Sequence, residues 1–244
     1  YSAIWLRVDL STWKNDSTFH RLCKRNKQLE VRCSKMQMRD DLRNLFRLYR
    51  ASVKFTSDTS LDNLLYGESN TDNFTSYLIE VFDQNKLVGA GVFDIGLHSA
   101  AGITSFYDPA YKKYSIGKFI IYQKMKYCQH NGIQYFYPGY VVPGYAAFDY
   151  KLDIAKAHLE YFCIQDYQWH SIATIHDKIP IVDMQQNLLV LQCALRIKEI
   201  NAVLLYYPFF DIQLMTSFQH NRYLDFPIFL WIASREESVV IDLI

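Results

Sequence analysis

The chain carries almost no excess charge: 26 Lys and Arg stand against 25 Asp and Glu over 244 residues, a formal net charge of +1. A basic footprint spread over a whole domain is therefore excluded, and any contact with nucleic acid has to come from local patches. The five cysteines, Cys23, Cys33, Cys128, Cys163 and Cys193, lie far apart with no CxxC pair. Five is odd, and their spacing resembles neither a disulfide nor a zinc framework. They are expected to be reduced and mostly buried, and no metal is expected. No apolar run reaches the roughly 20 residues that cross a bilayer, so no membrane partner is expected. Repeats and low-complexity linkers are also missing, as is any Ser-His or Cys-His constellation for covalent catalysis. The chain opens on Tyr1 rather than Met, so a trimmed start is expected, and the interior reads as cytoplasmic.

What is present is apolar and aromatic. Half of the residues are hydrophobic, and 19 Tyr with 16 Phe suit a sheet-rich interior while leaving rings for pockets. Ala3 to Asp9 alternates as a strand, and Asp16-Ser17 is an N-cap signal ahead of the basic segment His20 to Lys27. Val31 to Met38 is a short strand candidate. Leu42, Leu45, Phe46 and Tyr49 recur at helical spacing between Arg39 and Phe55, with Arg43, Arg47 and Arg50 on the polar side. A short helix runs from Ser60 to Gly67, and the polar tract Glu68 to Asn73 is a loop.

The densest signals follow. Thr75–Asp83 and Lys86–His98 flank the polar tip Asp83-Gln84-Asn85-Lys86 as a hairpin, and Ala100–Tyr107 extends the sheet. Ser115 opens a helix to about Asn131, stopped by Gly132. Ile133–Tyr137 is the next strand, broken by Pro138-Gly139 and Pro143-Gly144. Phe148 to Leu152 is a short helix or turn, and His158–Ile164 a strand. Beyond Trp169 come a helix at Asp183–Glu199 and strands at Asn201–Tyr207, Pro227–Ala233 and Ser238–Leu243. Strand, hairpin, strand, loop, helix, strand is the order of an α+β, N-acetyltransferase-like core. The expected division is a module at 1–67, that core at 68–169, and an extension at 170–244.

Several groups could carry chemistry. Lys112-Lys113-Tyr114-Ser115-Ile116-Gly117 occupies the place where acyl-CoA enzymes hold a pyrophosphate on backbone amides. The loop is degenerate here, and an ordinary Ser-capped helix is the alternative. Glu80 and Asp94 lie inside apolar strands, where an ionised carboxylate needs a partner or a wet cleft. Asp94 could bind an amine or act as a base, whereas Glu80 reads as a salt-bridge partner on the exposed sheet face. Asp108 before Pro109 builds a turn. Tyr107, Tyr137 and Tyr140 are core aromatics by default. Phe148-Asp149-Tyr150-Lys151 gathers acid, hydroxyl and cation at a strand end, against the reading of a salt-bridged surface turn.

Taken together these pieces resemble the arginyl-tRNA–protein transferase family, including its bacterial leucyl-transferring branch. The resemblance rests on Leu87-Val88-Gly89-Ala90-Gly91-Val92-Phe93-Asp94, on Phe106-Tyr107-Asp108-Pro109 with Ser115-Ile116-Gly117, on Tyr137-Pro138-Gly139-Tyr140, and on Tyr150-Lys151. Upstream, Trp5-Leu6-Arg7-Val8-Asp9 and His20 to Leu29 look like the family's "plRVD … kRNxdL" segment. The match covers about the first two thirds of the chain. Departures mark a divergent relative: the cysteine cluster that the family carries just before the segment matched by Leu6-Arg7-Val8-Asp9 is not in this sequence, either trimmed away or lacking in this branch, and Pro143-Gly144-Tyr145 and the stretch after Trp169 are unmatched.

The resemblance implies an acyltransferase that moves an arginine- or leucine-like amino acid from aminoacyl-tRNA to the α-amine of proteins with acidic N-termini, an N-degron-type modification. Aminoacyl-tRNA would be a co-substrate, with no other cofactor. The expected groove gathers Asp94, Asp149 and Tyr150 as catalytic groups, with Tyr107, Ser115, Gly117, Tyr140 and Lys151 on substrate. RNA phosphates would meet Arg21, Lys24, Arg25 and Lys27 and, around the helix start, Lys112, Lys113 and Lys118. Two alternatives stay open: an acyl-CoA-dependent N-acyltransferase using acetyl-CoA, and a non-catalytic module that binds acidic N-termini.

Overall fold

Leu6 and Val8 alternate with Trp5, Arg7 and Asp9, and in the computed structural model both are fully buried on β1 (Ile4–Asp9) while those neighbours face outward. The structure describes residues 3–53, 60–67, 74–142, 145–163, 166–178, 181–207, 227–233 and 238–241. The chain divides into two compact units. The larger holds Leu6–Gly139 and Ile154–Leu159; the smaller holds the residues before Leu6, Tyr140–Asp153 and everything from Glu160 onward.

In the larger unit β1 is followed by α1 (Ser17–Arg25), β2 (Glu30–Lys35), α2 (Asp40–Ser52) and α3 (Leu61–Tyr66). Then come β3 (Ser76–Asp83), β4 (Lys86–Ile95), β5 (Ser99–Tyr107), α4 (Ile116–His130) and β6 (Tyr135–Val141). The strands lie side by side in the order β2-β3-β4-β5-β6-β1. Neighbours from β2 to β5 are antiparallel, and β6 joins β5 in parallel. A parallel neighbour needs a crossover, which α4 provides. This is an α+β arrangement with a mainly antiparallel sheet.

Alternation along β4 decides which helix packs where. Ala90 and Val92 point with Leu78 and Phe106 at Leu42, Leu45 and Phe46 of α2 and at Leu61 of α3. Gly89 and Gly91 face α4. A Cβ on Gly89 would lie 2.7 Å from Ile116 Cγ2, and one on Gly91 2.7 Å from Lys124 Cε. The missing side chains therefore set how closely α4 approaches the sheet.

The caps follow the residue types. Asp16 Oδ1 accepts the Phe19 N–H at 2.8 Å, as the N-cap signal predicts. At the other end of α4, Gly132 sits at φ +74°, donates to Gln129 O at 3.1 Å, and Ile133 donates to Cys128 O at 3.0 Å. That pair of bonds is a Schellman stop.

In the smaller unit, residues Ala146–Asp153 form a 3-10 helix, and β7 (Leu159–Cys163) and β8 (Gln168–Ser171) form an antiparallel hairpin. α5 (Ile181–Ile197) lays Met184 and Leu188 against Ala202, Ile228 and Leu230. The last two belong to β10 (Ile228–Ala233), which lies between β9 (Val203–Tyr206) and β11 (Ser238–Ile241).

Several expectations need correcting. β6 runs through Pro138 and Gly139 instead of breaking there. Its ladder to β5 has ended by Tyr137, so on that side Pro138 has no N–H to supply. The long helix ends at Ser52, where Val53 turns extended. Only Cys128 and Cys163 are buried; Cys23 and Cys33 are half-buried and Cys193 is exposed. The tract Glu68 to Asn73 and Pro143-Gly144 lie outside the described residues.

Candidate functional site

The parallel ladder between β5 and β6 is three residues long, from Ser99↔Tyr135 to Ala101↔Tyr137. β5 continues to Tyr107 and β6 to Val141, so beyond Ala101 the two strands no longer pair. Gly102 stands at the fork, with the Phe136 ring and Tyr137 carbonyl where its Cβ would be. On the β4 side, Val92 pairs with Thr104 and Phe93 with Gly102, which leaves Ile103 as a bulge. Bulge and fork together leave the backbone between Gly102 and Tyr107 open on one side, beside the start of α4.

That start is held from several directions. A 3-10 turn, Pro109–Tyr114, leads into it, with Asp108 Oδ1 accepting from Ala110 N at 3.0 Å. Lys86 Nζ donates to Asp108 Oδ2 at 2.7 Å, and Tyr111 Oη donates to Asp83 Oδ2 at 2.7 Å. The Lys86 ammonium holds the Asp108 carboxyl below the usual carboxylate range, against a smaller upward push from burial. Asp108 thus builds the turn, as expected, and also binds the β3–β4 tip to it.

Ser115 occupies the left-handed region at φ 58° and its side chain does not cap α4, which corrects the Ser-capped alternative. Its Oγ instead accepts from Arg25 Nη1 at 2.9 Å. Asn26 Nδ2 donates to Tyr114 O at 3.2 Å. The end of α1 is therefore docked on the loop that opens α4, and the two basic clusters expected from sequence meet. Arg21, Lys24, Arg25 and Lys27 are exposed on one side, and Lys112 and Lys113 on the other, with Lys118 half-buried in the first turn of α4. Helix starts carry partial positive charge and outward N–H groups, which add to these cations.

Tyr107 and Gly117 touch: a Cβ on Gly117 would lie 3.2 Å from Tyr107 Cε1. The Tyr107 ring also tilts against Tyr49 at 5.2 Å, and burial pushes both hydroxyls above their ordinary pKa. Asp94 is half-buried near the other end of β4, facing Ser76 and Ala101 across the ladders, and accepts from Ser76 Oγ at 2.6 Å.

In the smaller unit, Lys151 is 8% exposed and donates to Tyr140 O at 2.8 Å. Its Nζ stands 4.5 Å from the Phe148 ring centre, 5.1 Å from Tyr140 and 6.0 Å from Tyr150. Burial lowers its pKa to about 8. Aromatic faces and one carbonyl thus stabilise a cation that burial alone would disfavour. Asp149 and Tyr150 beside it are exposed.

Sequence reading missed two features of the larger unit. Glu80 is paired, as expected, but it is 6% exposed rather than on an open face, and Arg39 Nη2 meets it at 2.5 Å. Lys124 is wholly buried beneath β4 and β5. Its signal was available: it falls on the apolar stripe Ile116, Ile120, Lys124, Cys128, four residues apart each time.

The crossover helix, the forked parallel strands and the antiparallel hairpin leading into them define an N-acetyltransferase-like fold. Residues 41–160 match the family described as "Arginine-tRNA-protein transferase, C terminus", so that segment is similar to this family. An aspartate/glutamate leucyltransferase of Stenotrophomonas maltophilia (strain R551-3) is 25% identical over 158 residues, 62% of this chain and 63% of the relative. One from Helicobacter hepaticus (strain ATCC 51449 / 3B1) is 24% identical over 157 residues, 59% of this chain and 64% of the relative. The chain thus spans less than two thirds of the length of these relatives.

Among solved structures, L-PGS from Bacillus licheniformis aligns with TM-score 0.44 and 12% identity, over 57% of this chain and 45% of that one. An aminoglycoside acetyltransferase from an uncultured soil metagenomic sample aligns with TM-score 0.37 and 18% identity, over 54% of this chain and 88% of that one. No helix among the described residues is long and apolar enough to cross a membrane.

Proposed function

We propose that the protein is an aminoacyl-tRNA–protein transferase, which moves a leucine- or arginine-like residue from charged tRNA to the α-amine of a protein with an acidic N-terminus. The observation that carries this reading is the docking of α1 on the start of α4 through Arg25 and Ser115, which joins two basic clusters beside the forked strands. A chain with net charge +1 has few other ways to hold RNA phosphates.

The chemistry asks little of the enzyme. Aminoacyl-tRNA is an activated ester, so the acceptor amine attacks its carbonyl carbon, the ester oxygen leaves on the tRNA, and the amine gives up a proton. Alignment, a proton acceptor and donors for the oxyanion are sufficient. We assign the amine to Asp149, with Tyr150 as a hydroxyl donor. Asp94 pairs with Ala101 while Tyr107 pairs with Gly89, so Asp94 stands at the end of β4 remote from the start of α4 and, against the expectation from sequence, is not brought to Ser115 and Gly117. Lys151 is assigned to the acidic side chain of the acceptor or a terminal phosphate, and Tyr107, Ser115, Gly117 and Tyr140 to the transferred residue and tRNA end. The cytoplasm, where charged tRNA is made, is the proposed site of action.

Incubation with labelled aminoacyl-tRNAs and peptides bearing Asp or Glu at the N-terminus tests the proposal. Transfer from at least one charged tRNA is expected; none from any would overturn it. The helix start that Ser115 leaves uncapped also suits a CoA pyrophosphate. Saturable acetyl-CoA binding without tRNA binding would select that second reading. Binding of acidic peptides with no turnover of either donor would leave a recognition module.

A further inference from the structure

The β7–β8 hairpin brings three metal-binding side chains together that are dispersed over residues 163–170. Cys163 pairs with Gln168 and Tyr161 with His170, so Cys163 and His170 are diagonal neighbours on one face of the ladder. Asp166 sits in the connecting turn. Its Oδ1 accepts from Gln168 N at 3.2 Å, and its Oδ2 lies 2.7 Å from His170 Nε2. The His170 ring is steadied by Tyr161, 5.8 Å away between centres. One donor atom each of Cys163, Asp166 and His170 fall within 4.8 Å of one another.

An exposed His–Asp pair spaced i,i+4 explains two of these residues at best, and such pairs add little. It does not account for a cysteine sulfur brought to the same point from the facing strand. We propose that this hairpin binds one zinc-class divalent cation through Cys163, Asp166 and His170. A thiolate with an imidazole and a carboxylate is a borderline-soft set that suits Zn2+, whereas Mg2+ and Ca2+ call for oxygen ligands alone. Sulfur and nitrogen on a tetrahedral zinc sit roughly 3.6 Å apart and nitrogen and oxygen roughly 3.3 Å, so the cysteine sulfur needs to close by about 1 Å while Asp166 and His170, 2.7 Å apart, exchange their hydrogen bond for the ion and open slightly. Small side-chain rotations supply that movement. Cys163 is buried while Asp166 and His170 reach solvent, so the ion has an entry path and a fourth position open to water. Bound there, it clasps β7 to β8 across a turn that holds Tyr167 at φ 56°.

The test uses the untagged full chain, stripped with chelator and titrated with Co2+. One equivalent and a thiolate-to-cobalt charge-transfer band are expected, with Zn2+ displacing the cobalt. Cys163→Ser should abolish the band, and Asp166→Asn and His170→Gln should each weaken binding at least tenfold. No band in the unaltered chain overturns the proposal without recourse to any variant. A band that survives in Cys163→Ser, or unchanged affinity in both other variants, overturns it as well.

Discussion

Replacing Lys124 by Met removes an ammonium from the interior while keeping the length of the side chain. Lys124 Nζ donates to Thr104 O at 2.8 Å, Val92 O at 2.9 Å and Ser105 Oγ at 3.1 Å, which satisfies carbonyls at the β5 bulge. Burial pushes its pKa down from 10.5 to about 7, with Cys128 and Asp94 pulling weakly the other way. A base whose pKa is lower folded than unfolded binds fewer protons in the native state. Stability therefore rises with pH between about 7 and 10.5 and is flat below that window. The slope is about 1.4 kcal/mol per pH unit, and the full separation amounts to about 5 kcal/mol. Urea unfolding of the parent and Lys124→Met from pH 6 to 10 isolates this group, because other titrations cancel in the difference. The difference should be constant up to neutrality and then climb in favour of the parent. Parallel curves throughout would mean that the buried ammonium keeps its ordinary pKa, and the reasoning would fail.

Gly91→Ala should cost about 1–3 kcal/mol in thermal or urea unfolding, because the new methyl meets Ile120 and Lys124. An unchanged midpoint would show that α4 stands too far from β4 for the glycine to matter. Charge reversal of Lys24 and Arg25 should weaken binding of charged tRNA and flatten its salt dependence by about 0.7–0.9 for each phosphate left without its cation. An identical salt slope would reduce the α1 patch to solvated surface. Asp94→Asn can retain the bond from Ser76, so melting should change little and transfer should stay near the parental rate, because Asp94 is remote from the start of α4. A drop of about a hundredfold would put Asp94 at the chemistry and overturn this placement.

The hairpin, the helix from Ile116 and its Gly132 stop were legible because each is written in local periodicity or a local cap. Asp16 as a cap and Asp108 as a turn builder were legible for the same reason. What was not legible depends on residues far apart in sequence. No pattern announced that Arg25 would reach Ser115, 90 residues on. Nor did any pattern show that the β5–β6 ladder would stop after three pairs. Cys163, Asp166 and His170 have ordinary spacing, and only the strand register puts them on one side. Lys124 was legible in principle, since a lysine on an apolar stripe either snorkels to solvent or is buried with partners.

The ties from Lys86 to Asp108 and from Tyr111 to Asp83 join the tip of a hairpin to the mouth of a helix. Two segments that would each fray alone are coupled into one opening unit. Their amides should therefore exchange with deuterium together, and cutting either tie should speed both segments at once. The open backbone at Gly102–Tyr107 then inherits its stiffness from groups more than a dozen residues away in sequence, at the β3–β4 turn. Substitutions at that turn should alter catalysis without touching a substrate.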